Sequence, residues 1–179
     1  NVLSNKVNLG YGGNQKIGYQ YAIKNTFDYV VLLHGDGQYA PECIMSILEP
    51  FKHNYDAVQG SRMINKLDAL KGGMPIYKFF GNIGLTFIQN LITGMKLSEF
   101  HSGYRAYSIK ALKKIPFQLN SSYYEFDTEI FIQLNMMNMK IKEVPIPTFY
   151  GNEISYLNSF KYGFRILKTT LLSFCINYL

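Results

Sequence analysis

Tyr29-Val30-Val31-Leu32-Leu33-His34-Gly35-Asp36-Gly37-Gln38 carries the fold class of this chain. A short apolar run rich in β-branched residues stops abruptly and gives way to polar residues alternating with glycines. That is the pattern of a buried strand delivering side chains to the carboxyl edge of a sheet, where open α/β folds bind ligands. Alternation along an extended chain puts residues two apart on one face, so His34, Asp36 and Gln38 are expected to converge. An imidazole, a carboxylate and an amide carbonyl are competent ligands for a divalent ion. Gly35 and Gly37 leave room for a ligand to approach the backbone. The same residue types also make an ordinary polar turn at a strand end, and spacing alone does not separate the two readings.

Upstream, Asn8-Leu9-Gly10-Tyr11-Gly12-Gly13-Asn14 reads as a glycine-rich turn into a helix over residues 15–25. Such a turn can present backbone amides and a helix start to a phosphate, and it can equally be a plain tight turn. Downstream, Pro41 and Glu42 suit the first turn of a helix reaching residue 51. Ala57-Val58-Gln59-Gly60-Ser61-Arg62 reads as a second core strand ending in an arginine. Residues 63–74 read as a polar loop long enough to move, and Pro75 opens a long apolar helix to residue 93. Residues 97–107 form a loop-to-strand transition, followed by a short helix at 109–114. Phe126-Asp127-Thr128-Glu129 opens a helix with two acids where its dipole favours negative charge. Ile141 to Pro147 looks like an edge strand, because prolines cannot donate to a ladder. Alternating strands and helices argue for an α/β domain with a mostly parallel sheet flanked by helices.

Residues 159–179 form one last helical pattern. Lys161, Arg165 and Lys168 lie on one side, while Phe160, Phe164, Leu167, Leu171 and Phe174 share another. A membrane-interfacial helix has this pattern, and so does an amphipathic helix packed on the sheet.

The chain has 179 residues, enough for one domain with a proper core. Its net charge of +6 comes from 18 Lys and Arg against 12 acids. The bases are spread along the chain, which suits anionic small molecules or a lipid surface; no nucleic-acid-binding motif accompanies them. Cys43 and Cys175 have neither disulfide-scaffold nor zinc spacing, which fits a reducing compartment. No signal peptide is visible, nor a run of about eighteen apolar residues. The chain opens at Asn1 without a methionine, as a piece of a longer polypeptide would.

Five landmarks in order, NLGYGGN, HGDGQYAPE, GSR, HSGYRAY and FDTE, with EVPIPTFYG behind them, carry a family resemblance over residues 8–158. The chain resembles family 2 glycosyltransferases of the GT-A fold, especially the dolichyl- and polyprenyl-phosphate sugar synthases. The resemblance implies a GT-A domain over residues 1–158, N-terminally incomplete because the strand and loop that hold the nucleotide base precede NLGYGGN in the family. It also implies a separate C-terminal helix at 159–179.

The family's strand-end motif is usually Asp-x-Asp-x-Gln, which holds a divalent metal, magnesium or manganese, against the donor diphosphate. Here Asp36 and Gln38 match it, and His34 stands where a carboxylate is common, so it either ligates or only hydrogen-bonds. The resemblance suggests that one or both of Arg62 and Arg105 steady the diphosphate or an acceptor phosphate, as a guanidinium can do bidentately; salt bridges on a loop are the alternative. It assigns Gly12, Gly13, Asn14, Ser102 and Gly103 to substrate binding. Asp127 and Glu129 fall where inverting members place their acidic catalytic residue; an ionised lipid phosphate acceptor would need no base. Glu99 stands where the family often has Asp.

The resemblance thus implies metal-dependent, inverting transfer of a sugar from a nucleotide donor to a polyprenyl phosphate or another lipid-linked or saccharide acceptor. The place of action would be the cytoplasmic face of a membrane, peripherally bound. Two rivals share much of the pattern: a non-catalytic sugar-nucleotide-binding module, and a sugar-1-phosphate nucleotidylyltransferase. Fold alone does not choose among them.

Overall fold

The computed structural model describes residues 2–150 and 159–175, the side chains of residues 174 and 175 excepted. The expected domain boundary at 158, the helix end at 176–179 and the side chains of Phe174 and Cys175 lie outside the described residues. Four strands form one sheet: β1 (Tyr29–Leu32), β2 (Ala57–Ser61), β3 (Arg105–Ser108) and β4 (Ile141–Pro145), in the order β1-β3-β2-β4. β2 and β4 pair in parallel, whereas β3 runs antiparallel to both β1 and β2. Three strands thus share one direction, and the sheet is mixed where a mostly parallel one was expected. The reason lies in residues 94–104, which return the chain to the edge where β2 ends, so β3 starts there; Gly60 N–H donates to Tyr104 O at 2.8 Å. Every strand-end motif consequently gathers at one edge. β4 is the edge strand that its prolines predict.

Strand alternation divides the core into two layers. Val30, Ala57 and Tyr107 face α1 (Gly10–Lys24) and α6 (Phe126–Met136), joining Tyr19, Phe126, Ile130, Phe131 and Leu134. Val31, Val58, Tyr104 and Ala106 face the other way, toward Ile47 and Phe51. Those two belong to residues 41–53, where the expected single helix is a run of 3-10, α and 3-10 segments around α2 (Ile44–Leu48). Pro50 lacks the N–H that an unbroken helix needs there. Ser108 ends β3 and caps the short α5 (Ile109–Leu112), its Oγ accepting from Ala111 N–H at 3.1 Å.

The loop expected at 63–74 contains a helix, α3 (Lys66–Lys71), whose Ala69 packs with Met63, Met74 and Phe79. Pro75 precedes α4 (Ile76–Thr93), which ends at Gly94 in the left-handed region, φ +71°. α7 (Ser159–Cys175) packs beside α4 and α6. Among the described residues, no helix is long and apolar enough to cross a membrane.

Candidate active site

A cavity of about 400 Å³ opens at the carboxyl edge of the sheet. β1 stops at Leu32, and residues 35–37 make a turn in which Gly37 takes φ +77°. His34, Asp36 and Gln38 all line the cavity. The turn brings them together, in place of the expected strand alternation, because the strand has ended two residues before His34. The Gln38 main-chain N–H donates to Asp36 Oδ1 at 3.1 Å and fixes that carboxylate; its Oδ2 lies 3.9 Å from His34 Nδ1.

The other ring nitrogen is settled by Tyr11. The Tyr11 hydroxyl donates to Asp127 Oδ2 at 2.8 Å and sits 3.1 Å from His34 Nε2. Burial, then the Asp127 charge, push the Tyr11 hydroxyl far above its ordinary range, so it keeps its proton. With that proton committed to Asp127, Nε2–H of His34 donates to the Tyr11 oxygen, and Nδ1 keeps a lone pair facing Asp36. Burial also lowers the His34 pKa, which favours the neutral ring. Gly103 makes the space: a Cβ there would fall inside the imidazole ring's van der Waals envelope.

Asp127 takes its second hydrogen bond, to Oδ1, from Gln15 Nε2 at 3.1 Å, and Tyr19 in turn donates to Gln15. It lines the cavity as an anion held from two sides. Glu129 does not: it accepts from Ser121 N–H at 2.7 Å, one face of α6 away from the cavity lining. Two residues along a helix diverge by roughly half a turn, so Asp127 and Glu129 serve different places.

Both arginines line the cavity with their charge already matched. Arg62 is ion-paired with fully buried Glu99, and its NH1 donates to Tyr150 Oη at 3.1 Å and its NH2 to His101 O at 3.1 Å. Burial would raise the Glu99 carboxyl, but Arg62, its main-chain N–H and Asn82 override this and hold it low. Arg105 is 1% exposed and gives Nε to Ser102 O, NH1 to Asp127 O and NH2 to Phe100 O, at 2.8, 2.8 and 2.6 Å. A phosphate grip at Arg105 therefore does not fit the geometry. This residue ties the 100–103 loop to the start of α6. Ser102 is buried and serves through its carbonyl.

The glycine-rich segment also differs from expectation. α1 begins at Gly10, so Gly12 and Gly13 lie inside its first turn, and both N–H groups donate to Ser122 O, at 2.9 and 3.3 Å. A Cβ on Gly12 would come within 2.5 Å of Ser121 O. These glycines let the helix press against residues 121–122, and their amides are not free for a phosphate. Asn14 is exposed and accepts from Asn5.

Sequence reasoning missed Tyr11, Gln15, Tyr39, Lys78 and Tyr162. The Tyr39 hydroxyl accepts from Gly103 N–H at 2.8 Å, and its ring lies edge-on to His34. Lys78 reaches the cavity with its Nζ 5.2 Å from the Tyr150 ring centre; a lone cation in an apolar helix was the available signal. Tyr162 Oη is 3.0 Å from His101 Nδ1, while His101 Nε2 is buried without a partner among the described residues. Burial drops the His101 pKa to about 4.

Arg62 is thus offset by Glu99 and Arg105 by Asp127, 3.8 Å away, while Lys78 has no carboxylate partner among the described residues. Among the described residues no three of His, Cys, Asp and Glu cluster as a metal cage. With bonds of roughly 2.0–2.2 Å, His34 Nδ1 and Asp36 Oδ2, 3.9 Å apart, would subtend an angle of about 125–155° at one ion, wider than octahedral neighbours, so both would bind it after a small rotation of the exposed Asp36 carboxylate.

Residues 1–116 match the family described as Glycosyl transferase family 2. The protein MJ1222 of Methanocaldococcus jannaschii is 36% identical over 163 residues, 90% of this chain and 66% of that protein. The UDP-N-acetylglucosamine–dolichyl-phosphate N-acetylglucosaminyltransferase of Methanococcus voltae is 33% identical over 172 residues, 93% of this chain and 68% of that enzyme. The chain spans about two thirds of the length of these relatives. The fold is shared with glucosyl-3-phosphoglycerate synthase from Mycobacterium tuberculosis bound to phosphoglyceric acid: TM-score 0.65 at 15% identity, over 98% of this chain and 57% of that one. The same enzyme has been solved with Mn²⁺, UDP-glucose and glycerol 3-phosphate, TM-score 0.57, 15% identity, over 93% of this chain and 55% of that one. This chain belongs to glycosyl transferase family 2.

Proposed function

We propose that this chain carries the transfer site of a hexosyltransferase that moves a sugar, with inversion, from a nucleoside-diphosphate sugar to a lipid-linked phosphate. The observation that carries the reading is the charge balance around the cavity. A donor diphosphate brings at least two negative charges into a place where every arginine is already matched, so its binding calls for an added cation. Asp36 Oδ2 and His34 Nδ1 would hold that ion, with Gln38 at their side, and the Mn²⁺ complex of glucosyl-3-phosphoglycerate synthase supports the assignment by analogy. The ion, magnesium or manganese, supplies positive charge against the departing diphosphate.

The chain's own residues do the rest. Lys78 offers a cation without a carboxylate partner among the described residues and suits a phosphate oxygen. An oxygen of the acceptor phosphate attacks the anomeric carbon as the bond to the nucleoside diphosphate breaks, and the leaving group takes the electron pair. That acceptor is ionised near neutral pH, so no side chain need remove a proton. Asp127, with both oxygens engaged by Tyr11 and Gln15, acts as a fixed anion that orients His34 through Tyr11. The dolichyl-phosphate substrate in the name of the Methanococcus voltae relative supports a lipid phosphate over a free saccharide. A lipid acceptor also agrees with peripheral attachment to a membrane.

Calorimetric titration of a nucleoside diphosphate into the full-length protein, with and without Mn²⁺, tests this. Wild type is expected to bind only with the ion, and Asp36→Asn to lose roughly tenfold or more of that affinity. Metal-independent binding of equal strength in both would overturn the ligand assignment. Binding without sugar transfer would favour a non-catalytic sugar-nucleotide module, and release of pyrophosphate from a nucleoside triphosphate would favour a nucleotidylyltransferase.

A further inference from the structure

The glycine amides of NLGYGGN are engaged, that of Gly10 with Asn8 Oδ1 and those of Gly12 and Gly13 with Ser122 O, so the segment serves another purpose. Gly10 takes φ +77°, and a Cβ on Gly10 or Gly12 would come within 2.5 Å of Ser122 O or Ser121 O. Bare backbone lets the start of α1 press against the stretch that leads into α6. Tyr11 is thereby carried to the first turn of α6, where its hydroxyl donates to Asp127 Oδ2 at 2.8 Å. Gln15, one turn along α1, holds the other carboxylate oxygen at 3.1 Å and accepts from Tyr19 at 2.7 Å.

The consequence falls on His34. Its ring is wedged against Gly103 and between two edge-on tyrosines, with ring centres 5.6 Å away at Tyr11 and 5.2 Å at Tyr39. The Tyr11 proton points at Asp127, so its oxygen, 3.1 Å from His34 Nε2, accepts there; Nε2 carries the hydrogen and Nδ1 turns a bare lone pair toward Asp36. Outer partners of this kind orient histidine ligands in metal sites.

A nitrogen in this place changes which ion is held. Magnesium demands oxygen ligands and gives up water reluctantly, whereas first-row transition ions accept imidazole. The oxygens of Asp36 and Gln38 suit either class, so the choice falls to His34. A neutral imidazole adds no charge, which leaves magnesium only the exposed Asp36 carboxylate beside it.

We infer that His34, fixed in this tautomer by Tyr11 and Asp127, makes the ion site select a first-row transition ion over magnesium, with Tyr11 as a positioning residue. The inference rests on the metal-assisted reading above and narrows its ion.

Manganese binds most weakly in the first-row series, so a preference for it over magnesium is the stringent test. Full-length protein is loaded with Mn²⁺ and uridine diphosphate, and pulsed electron paramagnetic resonance reads coupling to a directly bound nitrogen, with ¹⁵N-histidine labelling to assign it to imidazole. Mg²⁺ is then titrated until half the Mn²⁺ is released. Wild type is expected to show the coupling and to need a roughly tenfold or greater excess of Mg²⁺. His34→Asp is expected to lose the coupling and to yield to a smaller excess. Tyr11→Phe keeps the ring beside Tyr124, 4.9 Å between centres, but frees His34; its coupling should weaken and its Mn²⁺ affinity fall roughly tenfold. Release by an equal concentration of Mg²⁺, or a Tyr11→Phe protein that matches wild type in coupling and affinity, would overturn the inference. Mn²⁺ bound without nitrogen coupling and lost in Asp36→Asn would also overturn it, while leaving the donor-site reading in place. Nitrogen-coupled Mn²⁺ in a protein that transfers no sugar would do the reverse, and no bound Mn²⁺ at all would overturn both.

Discussion

Helix α6 turns Phe126, Ile130, Phe131 and Leu134 into the protein, whereas α4 turns Asn82, Thr86 and Gln89 inward and leaves Phe80, Phe87 and Leu91 outside. The two helices meet different demands. α6 lies over the sheet layer formed by Tyr107 and Ala57, where close apolar packing stabilises, alongside its buried Asp127, Thr128 and Gln133. α4 lies over Glu99, a buried carboxylate that needs donors, and Asn82 Nδ2 supplies one at 2.7 Å. Once much of the inward face of α4 is given to polar partners, most of its large apolar residues are left outside. Burial of a charge, more than hydrophobicity, therefore orients this helix.

Truncation inside α6 should have the largest effect. Phe131 is fully buried, edge-on to Tyr107, with Arg105 stacked 4.2 Å from its ring centre. Phe131→Ala is expected to lower unfolding free energy by about 3–5 kcal/mol, as read by urea denaturation. A loss below about 1 kcal/mol would mean that the core around β3 is not the stabilising layer. On α4 the sensitive position is polar. Asn82→Leu keeps the branched heavy-atom shape but strips a donor from Glu99, at an expected cost of about 1–3 kcal/mol. A neutral or stabilised variant would show that Arg62 alone satisfies the buried carboxylate, and the comparison between the helices would fail.

The same contrast marks what the residues alone reveal. α6 was legible because its apolar residues and first-turn acids agree with its burial. α4 was legible as an apolar helix, but its orientation was not, because periodicity assigns the apolar side to the core and nothing local announces Glu99. Asp36 and Asp127 were legible from the motif order, and both reach the cavity. The arginines were not: the ion pair with Glu99 and the three carbonyls around Arg105 come from residues brought in by the fold. The glycines of NLGYGGN invited a phosphate reading, yet the constraint on them is contact with Ser121 and Ser122, over a hundred positions away.

A pH dependence sharpens the picture of this polar interior. His101 has a folded pKa of about 4, lowered by burial, against about 6.5 in an unfolded chain. Between those values only the unfolded state binds the proton, so stability rises with pH across that window and falls as the solution is acidified. One such group gives a slope of up to about 1.4 kcal/mol per pH unit. His34, also lowered by burial, acts with the same sign, while the raised carboxyls of Glu129 and Glu143 act against it. The measure is therefore a difference: urea unfolding between pH 4 and 6.5 should be flatter for His101→Asn than for wild type. Parallel curves would mean that His101 is charged or solvated in the folded protein.

The smallest effect belongs to the outer face of α4. Phe87 is 68% exposed and has no ring partner among the described contacts, so Phe87→Ser removes little that folding had buried. The unfolding free energy should change by no more than about 0.5 kcal/mol, against the several kcal/mol expected at Phe131, although both are phenylalanines in helices of one domain. The serine still carries a modest helix-propensity cost of a few tenths of a kcal/mol, which sets the floor of the measurement. A loss above about 2 kcal/mol would mean that Phe87 is covered in solution. The inward polar face of α4 would then no longer imply a free apolar one, and its outer residues would have to be counted as core.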